Sequence, residues 1–203
     1  MGTKFANIQV RTNDIEHVKS AIEIFGQSFK EEKKARKSAL AKMLGISQSY
    51  VGISEEELYY IGQITTDWTI LLNEEFNWES IADFAAGLSR HITLPLISVG
   101  YFDDDVFELN VFNNGQQITK ILVSSEGTAE DYGLEITNGD LIALVNTLDI
   151  KSDVKVLEKI LGLDVMELID PLEKEFDTVL SIKADWFDDF EEEIKSKFLR
   201  VKL

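Results

Sequence analysis

Residues 95–124, PLISVGYFDDDVFELNVFNNGQQITKILVS, constrain the fold more than any other stretch. Three alternating runs are joined by two tight turns, which predicts three consecutive antiparallel strands. Asn114-Gly115 sits between two of the runs. Asn-Gly is the strongest short hairpin signal because both loop positions need φ > 0. The pairing then starts at Asn113 opposite Gln116 and runs outward. On an unbroken register Phe107, Leu109, Val111, Ile118 and Leu122 share one face, with Lys120 as an exception. Val106, Glu108, Asn110, Thr119 and Ile121 share the other. The first turn is Asp103-Asp104-Asp105, after Ile97, Val99 and Tyr101. Three adjacent acids suggest a cation, but a Ca²⁺ loop needs spaced ligands and a later bidentate Glu. A solvated hairpin tip is the plainer reading.

The chain before this hairpin supplies the rest of a sheet. FANIQVR places Ala6, Ile8 and Val10 on one strand face. Asn13 as N-cap with Glu16 three residues on predicts a capping box. Ile15, Val18, Ile22, Phe25 and Phe29 then recur at helical spacing, with Gly26 weakening the helix near its end. YYIGQIT and WTILLN read as two strands around a turn at Thr66-Asp67, with Trp68, Ile70 and Leu72 on one face. Asn77 caps a helix whose stripe is Ile81, Phe84, Ala85, Leu88 and Ile92, and Pro95 ends it. His91 lies near that helix's C-terminus, where a cation suits the dipole.

The expected fold class is α+β: an antiparallel sheet in a ferredoxin-like βαββαβ order, extended by the β-hairpin, with C-terminal helices. Right-handed crossovers place both helices on one sheet face. The other face needs cover from the C-terminal part, a partner or water. The expected division is a sheet domain over 1–135, with a helical insertion at 30–58, and a C-terminal helical subdomain over 136–203. In the latter, TAEDYG reads as loop, and TNGDLIALVNTL, SDVKVLEKILG and DVMELID as short helices, with Gly162 as a stop. Asp170-Pro171-Leu172-Glu173 reads as a further helix start, with cap, Pro at N1 and acid at N3. Trp186, Phe187, Phe190 and Ile194 form an apolar stripe expected to dock on the sheet.

Residues 38–57 resemble a helix-turn-helix. Ala41 and Gly45 lie four apart among Leu40, Leu44 and Ile46, with Val51 six after the glycine and Lys33, Lys34, Arg36, Lys37 and Lys42 nearby. Gly52 interrupts the would-be second helix, and Glu55, Glu56 and Glu57 would repel phosphate. The charge balance points the same way. The net charge is −17 over 203 residues. Residues 1–45 carry nine Lys/Arg against five Asp/Glu, and the remainder eleven against thirty-two. An acidic body disfavours nucleic acid and anionic membranes and favours solubility or a basic protein partner; the expected partner is a protein, either a basic one or a second copy of this chain.

The sequence holds no cysteine and only two histidines, His17 and His91. That removes disulfides, thiolate chemistry and a His-rich metal site. There is no phosphate-cradling Gly-Lys-Ser/Thr loop and no G-x-S-x-G elbow. Met1-Gly2 lacks the Ser or Thr of a myristoylation signal, Ala6 standing in its place. No stretch reads as a signal peptide or membrane span, so a cytoplasmic setting is expected. No catalytic, cofactor-binding or metal residue is assigned. Three readings stay open: a non-catalytic protein-binding module of immunity or antitoxin-like type, a DNA-binding regulator using the helix-turn-helix-like segment, and an enzyme of unknown class.

Four stretches also carry a resemblance: IQVRT near the start, WTILL from Trp68 with a following acid, LSRHI, and FDDDVFELNVFNNG. Through them the chain resembles an uncharacterised family of small soluble bacterial proteins, over about residues 1–135 without the insertion. The resemblance implies the sheet fold and a cytoplasmic setting, and assigns no catalytic residue.

Overall fold

The computed structural model describes residues 2–27 and 57–203. Nearly all of the segment 38–57 that resembles a helix-turn-helix, and of the expected helical insertion at 30–58, lies outside the described residues, as does Phe29. The fold is α+β, with one seven-stranded antiparallel sheet. Its strands are β1 (Lys4–Val10), β2 (Leu58–Gly62), β3 (Thr69–Asn73), β4 (Leu96–Phe102), β5 (Val106–Asn113), β6 (Gln116–Ser124) and β7 (Phe198–Lys202). Their spatial order is β6-β5-β4-β1-β3-β2-β7. Helix α1 is described over 15–27, and α2 spans Trp78–Leu88.

Both helices cover one sheet face. Val18, Ala21, Ile22 and Phe25 of α1 and Ile81, Phe84, Ala85 and Leu88 of α2 pack on Ala6, Ile8, Val10, Ile61 and Leu71. Asn77 caps α2 as expected, its Oδ1 accepting from Ser80 N at 3.2 Å. The cap of α1 is Asp14 rather than Asn13: Asp14 Oδ1 accepts from His17 N at 3.0 Å. Thr12 Oγ1 accepts from Asp14 N and sets that position. Glu16 pairs with Lys19 instead of closing a box.

The C-terminal part covers the opposite face. It comprises α3 (Glu126–Tyr132), α4 (Leu141–Leu148), α5 (Val154–Ile160), α6 (Val165–Phe176), a 3₁₀ turn (Ala184–Asp189), α7 (Glu192–Lys195) and then β7, which pairs with β2. Leu144, Leu148, Leu157, Leu168, Leu172 and Phe176 pack on Trp68, Ile97, Val99, Phe107, Leu109 and Val111. Phe187 is buried on Tyr60, Ile70 and Leu72, with Phe190 and Ile194 against it, so that stripe docks on the sheet. Trp68 Nε1 donates to Phe176 O at 2.9 Å and ties β3 to the end of α6.

Three local expectations are corrected. TAEDYG is the helix α3, stopped by Gly133 at φ 62°. DVMELID and the segment after Asp170 form one helix, α6, with Pro171 inside it. Pro in a helix interior costs about 3 kcal/mol. Burial of Val165, Leu168, Ile169, Leu172 and Phe176 along one stripe offsets this, at about 1.5–3 kcal/mol each. Glu173 is therefore no N3 acid. Its Oε1 accepts from Leu180 N, Ser181 N and Ser181 Oγ at 2.7–2.8 Å. Gly162 follows α5 without adopting positive φ.

The third correction is the register of β6. Asn113 faces Gln116 as expected, but Phe112 pairs with Gln117 and Val111 with Thr119, so Ile118 is an extra, bulged residue. Beyond it the faces of β6 are exchanged. Ile121 and Val123 join Leu109 and Phe107 in the core, while Lys120 lies with Asn110 and Glu108 on the α2 side. The expected exception at Lys120 is thus resolved. Leu109 and Val111 are fully buried, and Ile118 packs partly against the same core.

Asn114 and Gly115 take φ 49° and 76°. A Cβ on Gly115 would also meet Arg90 Cγ at 2.7 Å. Gly115→Val should cost about 1–3 kcal/mol, the range for a side chain forced into a sparsely populated backbone region. Chemical denaturation reads this directly, and an unchanged midpoint would contradict the turn assignment.

Candidate functional site

A concave site lies at one end of the sheet, a cleft of about 230 Å³. Strand β1 begins there, with Lys4 and Phe5. Strand β4 ends there, with Tyr101 and Phe102. The first turn of α2 adds Asn77, Trp78 and Glu79, preceded by Phe76, and the segment before the 3₁₀ turn adds Lys183, with Asp185 within it. Because side chains alternate along β1 and β4, the cleft wraps the sheet end. Phe5 and Tyr101 point to the C-terminal side, Lys4 and Phe102 to the α2 side.

On the C-terminal side, Phe5 and Tyr101 are cross-strand partners and stack at 4.8 Å, almost parallel. Burial, followed by the negative charge of Asp104 and a hydrogen bond to it, pushes the Tyr101 phenol up from 10.0 to about 12. Lys183 pairs with Asp185 at 2.8 Å. On the α2 side, Trp78 reaches over the sheet because β4 carries Gly100 beneath it. A Cβ there would lie 2.9 Å from Trp78 Cδ1. Trp78 Nε1 donates to Glu108 Oε2 at 3.3 Å. Glu108 also accepts from Asn110 Nδ2 at 2.8 Å and pairs with Lys120 at 3.3 Å. That network fixes the indole on the side facing the sheet.

The aromatic surface continues beyond the cleft. Trp78 and Phe102 lie 5.4 Å apart, and Tyr132, from the end of α3, meets both edge-on at 6.3 and 6.1 Å. Tyr132 keeps 55% of its surface exposed. Lys4 Nζ sits 4.1 Å over the Phe102 ring and 3.3 Å from Asp103 Oδ2.

The three turn acids form the border of this surface. Asp103 and Asp104 take φ 54° and 64°, left-handed positions that Asp tolerates. Asp104 Oδ1 accepts from Thr3 N at 3.0 Å. Asp105 anchors the start of α3, its backbone oxygen accepting from Ser125 N. Among the described residues no group of three or more His, Cys, Asp or Glu is arranged to hold a metal ion. The two histidines lie elsewhere. His17 is exposed on α1, and His91 lies beyond α2 with its ring 5.7 Å from Phe25.

The sequence alone assigns no site residue. Trp78, Phe102 and Tyr132 come from three separated segments. The available hint was Trp78 itself, a large aromatic in the first turn of α2 but off its buried stripe. No protein-family model matches the chain, and no curated protein or solved structure matches it either.

Stability should report the state of Tyr101. An unfolded tyrosine ionises near pH 10, whereas Tyr101 in the fold does so near 12. Its contribution is complete below pH 10 and is lost as pH rises from about 10 to about 12. Tyr59 and Tyr60 are raised too, mainly by burial. The expected result is a shallower alkaline loss of denaturation midpoint in Tyr101→Phe than in wild type. Parallel pH profiles would contradict the assignment.

Proposed function

We propose that the protein is a non-catalytic protein-binding module, of the immunity or antitoxin-like kind, that masks a basic partner with an acidic surface. One observation carries this reading: residues 57–135 hold fourteen Asp/Glu and only two Lys/Arg, Arg90 and Lys120. Of those acids Glu79 lines the aromatic cleft, and Asp103 pairs with Lys4 at its edge. Glu74, Glu75, Glu79, Asp105, Glu126, Glu130 and Asp131 are exposed. Aromatic residues framed by polar or charged ones are typical of the centre and rim of protein interfaces. Arg90 stands at the opposite hairpin tip, beside Gly115. Lys120 is held by Glu108.

The order β4-β1-β3-β2, with α1 and α2 on one face, is consistent with a ferredoxin-like core. The resemblance to the bacterial family adds a cytoplasmic setting. Among the described residues no helix is long and apolar enough to cross a membrane.

The test is capture from a native lysate followed by affinity measurement. A single basic protein should bind stoichiometrically, and its affinity should fall from low to high salt, since exposed charges are screened within about 8 Å at physiological ionic strength. Reversing Glu79, Asp105 and Asp131 to Lys should weaken it further. An acidic partner, or an affinity indifferent to both salt and charge reversal, would overturn the reading.

A further inference from the structure

We propose that the aromatic cluster Trp78–Phe102–Tyr132 is the seat for an arginine side chain of the partner. This rests on the protein-binding reading above and adds where contact is made and by what chemistry.

Three observations converge. First, large aromatic side chains are normally buried, yet Tyr132 is half-exposed at the end of α3 beside two rings that are only partly covered. This leaves apolar ring surface in solvent at the mouth of a cleft. Second, each ring has acids beside it in the chain: Glu79 follows Trp78, Asp103, Asp104 and Asp105 follow Phe102, and Glu130 and Asp131 precede Tyr132. The cations lining the cleft, Lys4 and Lys183, each lie against an acid already. The surface is therefore negative in excess, and a second copy of this face would meet it with like charge. Third, the molecule already shows the contact in question. Lys4 Nζ lies over Phe102. Elsewhere, Arg200 Cζ lies 5.2 Å from the Phe187 ring and Arg11 Cζ 5.0 Å from that of Trp68.

Arginine fits better than lysine. Its flat guanidinium stacks on a ring while its edge donates to carboxylates, and it is more weakly hydrated than an ammonium group. Tyr132 supplies the open ring, and Glu79, which lines the cleft together with Trp78, offers a carboxylate acceptor.

The probe is a short capped peptide with two arginines separated by glycine, titrated into the full chain and followed by amide and indole N–H NMR. Saturable shifts are expected at the Trp78 indole and in residues 102–105 and 126–132. The lysine analogue should bind more weakly. Tyr132→Ser should weaken binding about three- to tenfold, the size of a partly exposed cation–π contact. Tyr132→Phe should retain it, and so should Ile24→Ser, which alters an exposed apolar residue of α1. Spectra unchanged outside the cluster will confirm that the variants fold. Peptide shifts confined to another acidic stretch, such as 188–193, would overturn the seat and leave the basic-partner reading standing. The same holds if Tyr132→Ser binds like wild type. No shift anywhere would overturn both.

Discussion

Two buried amides on the central strand set the position of half the molecule. Asn7 and Gln9 are completely buried on the face of β1 opposite Ala6, Ile8 and Val10. Asn7 Nδ2 donates to Leu180 O and Ile182 O at 2.7 and 2.9 Å. Gln9 Nε2 donates to Val179 O and to Asn7 Oδ1, and Gln9 Oε1 accepts from Thr178 Oγ1 at 2.6 Å. A satisfied hydrogen bond adds only about 0.5–1.5 kcal/mol net, while a buried polar group left unpaired costs about 1–3 kcal/mol. The asymmetry makes the network a positioning device. Residues 178–182 must return to β1, and once there they bring the end of α6 and the 3₁₀ turn onto the sheet. Glu173 holds the same segment from the helix side through Leu180 N and Ser181 N.

The location of the candidate surface follows from this cover. With α1 and α2 on one face and the C-terminal helices on the other, neither sheet face over β1 remains open. The outer edge of β6 is partly blocked too, since Leu122 and Thr137 exchange backbone hydrogen bonds at 2.7 and 3.0 Å. The end of the sheet at Lys4 and Phe102 stays accessible. There the turn acids, the first turn of α2 and the end of α3 converge. Gly100 lets Trp78 lie flat enough to join Phe102, and Asp105 draws in the start of α3, whose far end carries Tyr132.

What could be read from the sequence was local. The Asn114-Gly115 turn was legible because it needs two positive φ angles, and the stripes of α1 and α2 because burial repeats every three or four residues. The bulge at Ile118 left only an indirect trace, a lysine on a face that should have been apolar. Pro171 misled because its usual place is a helix's first turn, and here a longer apolar stripe outweighs the broken bond. The burial of Asn7 and Gln9 has no local signal, since their carbonyl partners lie about 170 residues away. The aromatic cluster was illegible for the same reason. Its three rings meet through tertiary packing, which no local period encodes.

Two-sided burial of β1 is tested most directly by native-state hydrogen exchange on the full chain in low denaturant. If Asn7 and Gln9 lock the C-terminal part to the sheet, amides of β1, α6 and β7 will open with one common free energy and the same denaturant dependence. The account is contradicted if α6 and residues 178–202 exchange through a separate, lower-energy opening that leaves β1 protected.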